Sequence, residues 1–171
     1  KKFFKNEEDK IYKNIKKETG ISIDASDIYT AASLQKVFDK LGEKYELTEK
    51  NKQAKISNLS MKESDNPLIQ SISVAREYNK AHTTFIDSIL KHQVEGRIHA
   101  EINQLKGEYG GTVSGRLSMN NPNLQQVPSR NEIIGPKIRS LFLPENKEKW
   151  VSLDYSQQEP RLLVHYAKKH D

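Results

Sequence analysis

The sequence contains no cysteine among its 171 residues, which excludes disulfide staples and cysteine-based zinc sites. No stretch approaches the roughly 20 apolar residues that a membrane-spanning helix needs. The opening KKFFKNEEDK has no apolar core of the length a secretory signal requires. Apolar residues make up only 35% of the chain and charged residues 30%. A real core can form, but broad solvated faces must surround it, or the chain is a piece of something larger. Repeats and low-complexity tracts are absent too. The first residue is Lys rather than Met, so a portion of a longer chain is expected. Lys and Arg total 28 against 23 Asp and Glu, a net charge of +5. That excess suits a polyanionic partner without requiring one.

What is present reads as helices first. Ile11, Tyr12 and Ile15 share one helical face, and Gly20 is placed to stop that helix. Leu34, Val37, Phe38 and Leu41 repeat the spacing ahead of Gly42. Between Lys44 and Glu63 the pattern is polar and predicts a loop with one short element at most. Asn66 and Pro67 form a helix start. From there Leu68, Ile72, Ala75, Tyr78, Phe85, Ile86, Ile89 and Leu90 predict a long helix to about His92. Beyond Gly96, the alternation of Ile98, Ala100 and Ile102 predicts a strand through RIHAEINQL, with Arg97, His99, Glu101 and Asn103 on its other side.

From Gly107 to Pro136 glycine, asparagine and proline cluster, which predicts turns and loops over a supporting surface. SLFLPE and WVSLDY then read as strands joined by a turn near Asn146. A last helix, from about Ser156 to Lys168, carries Leu162, Leu163 and Tyr166 on its apolar stripe. Helices followed by strands with one packed helix make the expected class α+β.

The stretch VSLDYSQQEPRLLVHYA concentrates the chemistry. Two readings of Asp154 stand on pattern alone: it caps the helix that follows, or it is a strand-end carboxylate that binds magnesium for phosphate chemistry. Glu159 and Arg161, in the first turns of that helix, read equally as a solvated ion pair. Pro160 is tolerated there because early helical positions need no amide donor.

Asp154, Tyr155, Ser156, Gln157, Glu159 and Arg161 match D-Y-S-Q-x-E-x-R, and the segment resembles motif A of family A DNA polymerases, the DNA polymerase I-like enzymes. Gln158 and Pro160 stand where the commoner bacterial form has Ile and Leu, as in phage-type members. Upstream, GGTVSGRLSMNNPNLQQVPSRN resembles the family block T-G-R-L-S-S-x-x-P-N-L-Q-N-I-P-x-R. It matches at Ser114 through Ser118, at Pro122 through Gln125, and at Pro128 and Arg130, with Ser114 for the usual Thr and Met119 for a second Ser. Gln126 and Val127 replace Asn and Ile. GPKIRSLFLPE, centred on Arg139, continues the likeness. AREYNKAHTTFIDSILKH and GRIHAEINQL are similar to the thumb helix and first palm strand. Two long motifs in order make a specific signal.

The resemblance implies residues 1–95 as a thumb-like helical segment and 96–171 as the first part of the palm, with a minor-groove loop and motif A. It implies a DNA-directed DNA polymerase whose partners are primer–template DNA, dNTPs and the remainder of the polymerase. By resemblance Asp154 is the catalytic carboxylate and the ligand of two Mg²⁺ ions. Tyr155, Ser156, Gln157 and Glu159 belong to the nucleotide pocket. Glu159 covers the sugar and excludes a 2′ hydroxyl, and Arg161 braces the turn. Arg116 reaches the minor groove beside the primer terminus, where purine N3 and pyrimidine O2 occupy similar places in all correct pairs. Asn123 and Gln125 are neutral donors near the same duplex, although Asn123 also reads as a residue that solvates its own turn. Arg130 and Arg139 meet phosphate or brace the site. Lys80, His82 and Thr83 are candidates to face the duplex from the thumb-like helix.

The terminal His170-Asp171 does not match the family's His-Asp-Glu motif C, which lies far downstream of motif A. Neither motif C nor the fingers helix is in the sequence, so this segment alone is expected to be nearly inert. A non-catalytic duplex-binding module derived from a polymerase is the competing reading, and a structural partner for a separate catalytic half is a third. The expected location is the cytoplasm of a bacterium or phage-infected cell, or an organelle.

Overall fold

The computed structural model describes residues 1–49, 53–108 and 110–168, so His170 and Asp171 lie outside the described residues. Two compact units divide the chain, Lys1–Arg139 and Ser140–Asp171.

In the first unit, α1 (Lys2–Thr19) ends where Gly20, at φ 75°, donates its N–H to Lys16 O. A 3₁₀ turn, Asp27–Tyr29, leads into α2 (Ala31–Leu41), which Gly42 closes at φ 70°. Both glycines occupy the left-handed region that a side chain resists, so both stops were legible locally. The polar stretch after α2 is more ordered than its pattern suggests. Strands β1 (Glu46–Leu47) and β2 (Ala54–Lys55) pair antiparallel, and α3 (Asn58–Lys62) follows behind a reciprocal Ser57–Ser60 cap. Caps and turns define these elements, and Ala54 and Met61, their buried residues, are too few to show as a hydrophobic period.

Helix α4 (Pro67–Lys80) starts as expected, with the Asn66 side chain accepting the Leu68 N–H at 3.0 Å. It runs on through a π-helical turn, Ala81–Ile86, into α5 (Asp87–Lys91). The turn is wide because Asp87 N–H reaches His82 O, five residues back.

Two apolar clusters hold this unit. In the first, Ile15 of α1, Ile28, Leu34 and Val37 of α2, Met61 of α3 and Ile69 of α4 are completely buried. Each such side chain contributes about 1.5–3 kcal/mol by leaving water. Arg76 seals one side: its Nε donates to Ile28 O at 2.6 Å and its guanidinium lies over the Tyr29 ring. The second cluster joins Phe4 of α1 to Tyr78, Ala81, Ile86, Ile134 and Ile138.

Two hairpin-like pairs follow α5. Strands β3 (Gln93–Val94) and β4 (Arg97–Ile98) turn at Glu95 and Gly96, with φ 50° and 80°. Strand β5 (Glu101–Asn103) instead pairs with β6 (Ser118–Asn120), Ile102 facing Met119. The single strand expected through RIHAEINQL is therefore two short ones in different pairs. Alternation reads the same in both cases, because it records faces and not partners. Helix α6 (Ile134–Arg139) replaces the expected loop around Pro136, and Asn131 Oδ1 caps it by accepting from Ile133 N and Ile134 N.

The second unit contains α7 (Gln158–Ala167). SLFLPE and WVSLDY are not strands: they find no ladder partner among the described residues. Leu143, Trp150 and Leu153 are 77%, 71% and 91% exposed. Apolar composition predicts a strand only where a neighbouring edge exists to complete its hydrogen bonds. Helices with antiparallel strand pairs nevertheless make the class α+β, as expected.

Candidate nucleic-acid interface

The loop between β5 and β6 presents Arg116, and its backbone is tied at several points. Gly107 N–H donates to Gly110 O at 2.9 Å. Gly111, at φ 89°, donates its N–H to Ser118 Oγ at 3.2 Å. Thr112 Oγ1 donates to the Arg116 carbonyl at 2.7 Å, and Ser114 Oγ reaches Thr112 Oγ1 at 3.2 Å. Arg116 itself is exposed on this folded loop. Ser114 thus takes part in fixing the turn.

The next segment is pinned to the same place. Asn121, at φ 50°, precedes a cis peptide to a buried Pro122. Asn123 Oδ1 accepts the Gln125 N–H at 3.1 Å and opens the 3₁₀ turn Leu124–Gln126. The turn-solvating reading of Asn123 is therefore realised by its carbonyl oxygen, while its NH₂ donors belong to an exposed side chain. Gln125 Nε2 donates to Leu117 O at 3.0 Å, which ties it to the residue after Arg116. An amide nitrogen carries two hydrogens, so one contact leaves Gln125 a further donor.

Arg139 braces from α6: its Nε donates to Pro128 O at 3.2 Å. Arg130 lines an open cleft of about 560 Å³ with Lys62 and Lys80, over a floor that includes Phe85, Pro128 and Ile134. Glu77 also lines it and pairs with Lys62 at 2.7 Å and with Asn131 Nδ2 at 2.7 Å. Nothing in the sequence distinguishes Lys62, because lysines are too common there for one to signal anything.

Of the three candidates on α4 and its π-helical turn, Lys80 and Thr83 are exposed, Lys80 in the cleft, whereas His82 turns inward. Thr83 Oγ1 donates to Asn79 O at 2.8 Å. His82 is buried and meets Glu8 of α1 at 2.6 Å. Glu8, also buried, accepts from Asn79 Nδ2 at 3.0 Å and from the Tyr12 hydroxyl. A signal for this existed: His82 follows Tyr78 by four residues, and Glu8 follows Phe4 by four, so both stand on apolar stripes.

In the second unit, Asp154, Tyr155, Ser156, Gln157, Glu159 and Arg161 are all exposed. The helix is capped not by Asp154 but by Gln157, at φ 52° and ψ 45°, with no side-chain cap bond. Asp154 is thus released from the capping role that its spacing allowed. Glu159 and Arg161 lie two residues apart in α7 and point to different sides of it. Pro160 sits in the first turn, where its missing N–H costs nothing. Among the described residues no group of three His, Cys, Asp or Glu gathers to hold a metal. Nor, among the described residues, is any helix long and apolar enough to cross a membrane.

The family model for DNA polymerase family A matches residues 1–171. The chain belongs to DNA polymerase family A. A DNA-directed DNA polymerase of Pseudomonas phage M6 is 37% identical over 156 residues, 87% of this chain and 23% of the relative. The thermostable DNA polymerase I of Thermus aquaticus is 40% identical over 103 residues, 59% of this chain and 12% of the relative. This family A chain thus spans less than a quarter of the length of those polymerases. Its fold is similar to the polymerase domain of Pol1 from M. smegmatis, solved with DNA primer-template and dNTP. The TM-score is 0.63 at 24% identity, over 82% of this chain and 24% of that one.

Proposed function

We propose that this chain contributes a thumb-like segment (1–95) and the first part of the palm (96–171) to a DNA-directed DNA polymerase that extends a primer 3′ end by nucleotidyl transfer. One observation carries the reading furthest: the Arg116 loop is hydrogen-bonded into a fixed shape, and Gln125 is tied to its base at Leu117. A folded, exposed arginine loop is what a duplex needs for shape-checking contacts in its minor groove. Lys80 and Arg130 add cations suited to backbone phosphate. The M. smegmatis neighbour holds primer-template and dNTP, and we assign the same partners here.

Asp154 offers hard carboxylate oxygens to solvent, a donor type that fits magnesium, although it supplies a single carboxylate. When bound, Mg²⁺ would favour the ionised primer hydroxyl and neutralise the leaving pyrophosphate. Around it, Tyr155, Ser156, Gln157 and Glu159 would shape the nucleotide pocket, with Glu159 against the sugar and Arg161 bracing the turn. Asn123, Gln125, Arg130 and Arg139 would hold or contact the duplex. The compartment is that of a phage or bacterial replication enzyme.

Primer extension tests this. The 171-residue chain alone is expected to give no templated extension with Mg²⁺ and all four dNTPs. A full-length polymerase carrying this segment should extend, and Asp154→Ala should remove that activity by several orders of magnitude. Full activity in Asp154→Ala would remove Asp154 from the chemistry and leave this segment only a duplex-binding role.

A further inference from the structure

The Glu8–His82 contact lies outside every role assigned above. It joins α1 to the π-helical turn with both side chains buried, and Glu8 receives three donors at once. Yet His82 Nδ1 is buried with no hydrogen-bond partner among the described residues. Buried polar groups bonded to one another in this number hold each other in one geometry. The position of the pair suggests what it does.

A π turn inserts one extra residue per turn and so rotates everything after it relative to an α-helix. The outer side of this turn and the start of α5 present Phe85, Ser88 and Ile89 to Pro122, Asn123 and Val127, around a small cavity of about 90 Å³. The inner side of the same turn is where His82 meets Glu8. Phe4, Ala81, Ile86 and Ile134 share one apolar cluster, against which Phe85 and Val127 also pack. One continuous set of contacts therefore runs from α1, through the wide turn, to the segment that carries Asn123 and Gln125.

We propose that Glu8 and His82 are positioning residues: their buried contact fixes the π turn, and the turn seats the Pro122–Val127 segment against which the Arg116 loop is tied. The role in duplex recognition rests on the function proposed above, whereas the seating itself does not.

The test uses the 171-residue chain and the side-chain amide NMR signals of Asn123 and Gln125, assigned by Asn123→Asp and Gln125→Glu. The double variant Glu8→Leu/His82→Leu replaces the pair with apolar side chains of comparable bulk, while leaving the Asn79 and Tyr12 donors without Glu8. Glu8→Gln, which keeps the shape but loses the charge, is read beside it in case the double variant does not fold. The control is Leu34→Ala in the other core cluster, which should lower Tm without moving the two amides. Either pair variant, while folded, should shift both amide signals. Primer–template Kd at low salt should weaken about threefold to thirtyfold. Unmoved amides in a folded variant would overturn the positioning role, whatever happens to Kd. Shifted amides with unchanged Kd would uphold the seating and overturn instead the assignment of this segment to the duplex.

Discussion

The carbonyl oxygen of Leu105 lies 2.1 Å from the point where a Cβ on Gly111 would stand. The loop that presents Arg116 crosses itself there, so closely that no side chain fits between the two strands of backbone. Gly111 also has φ 89°, a conformation that costs a non-glycine residue about 1–2 kcal/mol. Gly115, at φ 76°, has open space around its missing Cβ.

Gly111→Ala should therefore disrupt the loop, while Gly115→Ala should only strain it. Primer–template Kd and thermal unfolding would be measured for both. Gly111→Ala is expected to weaken duplex binding as much as Arg116→Ala does, with a modest fall in Tm. Equal effects of the two alanines would mean that the crossing does not shape the Arg116 loop.

Asn131 joins two elements through opposite ends of one amide. Its Oδ1 caps α6, and its Nδ2 donates to Glu77 of α4 at 2.7 Å. Asn131→Ala should cost about 1–2 kcal/mol, the range of a lost cap. Asn131→Asp keeps the cap but sets two carboxylates against each other, so it should cost at least as much at neutral pH and recover as pH falls. Urea midpoints at two pH values would check this order.

The parts of the fold written in local chemistry were legible. Gly20, Gly42 and the Asn66-Pro67 start each act within one turn of chain, and each sits where its pattern put it. The motif matches single out Arg116, Gln125 and Asp154 in the same local way, and all three side chains are exposed. What depended on a distant partner was not legible. Ile98 and Ile102 alternate alike but belong to different strand pairs, because register is chosen by β3 and β6. Leu141 and Leu153 look like strand residues but have no edge to complete among the described residues. The spacing from Tyr78 puts His82 on an apolar stripe, but its partner Glu8 comes from the facing α1 and is not written nearby.

The Tyr12 hydroxyl is held above its ordinary value of 10.0, first by burial and then by the hydrogen bond it donates to Glu8. The unfolded chain releases that proton above about pH 10, whereas the folded chain keeps it. The stability from this group is therefore complete below pH 10 and declines as pH rises beyond it. Tyr29 and Tyr78 are raised as well, with burial the largest cause in each, so they add to the decline. Tyr12→Phe should be less stable near neutrality by about 1 kcal/mol, the net worth of one hydrogen bond. It should also lose stability less steeply from about pH 9 to pH 11 than wild type does. Parallel curves would place the alkaline sensitivity in the other tyrosines.

Glu159 gives the sharpest test of the motif A assignment. It occupies the first turn of α7, exposed, two residues after the left-handed Gln157 that begins the helix. In the proposed role its side chain covers the sugar of the incoming nucleotide, so that a 2′ hydroxyl collides with it. In a full-length polymerase carrying this segment, Glu159→Ala should open that space and raise ribonucleotide use relative to deoxyribonucleotide use. A shift of about tenfold or more in the ratio would correspond to roughly 1.4 kcal/mol of transition-state discrimination. Some loss of dNTP activity should accompany it, because the carboxylate also helps to shape the pocket. The quantity to measure is kcat/KM for one matched rNTP and dNTP pair, in wild type and variant. Glu159→Gln keeps the bulk, so a purely steric gate should survive in it, whereas a gate that depends on charge should not. If neither substitution changes the ratio, Glu159 does not face the sugar, and the nucleotide pocket proposed around Asp154 loses the residue that gives it selectivity.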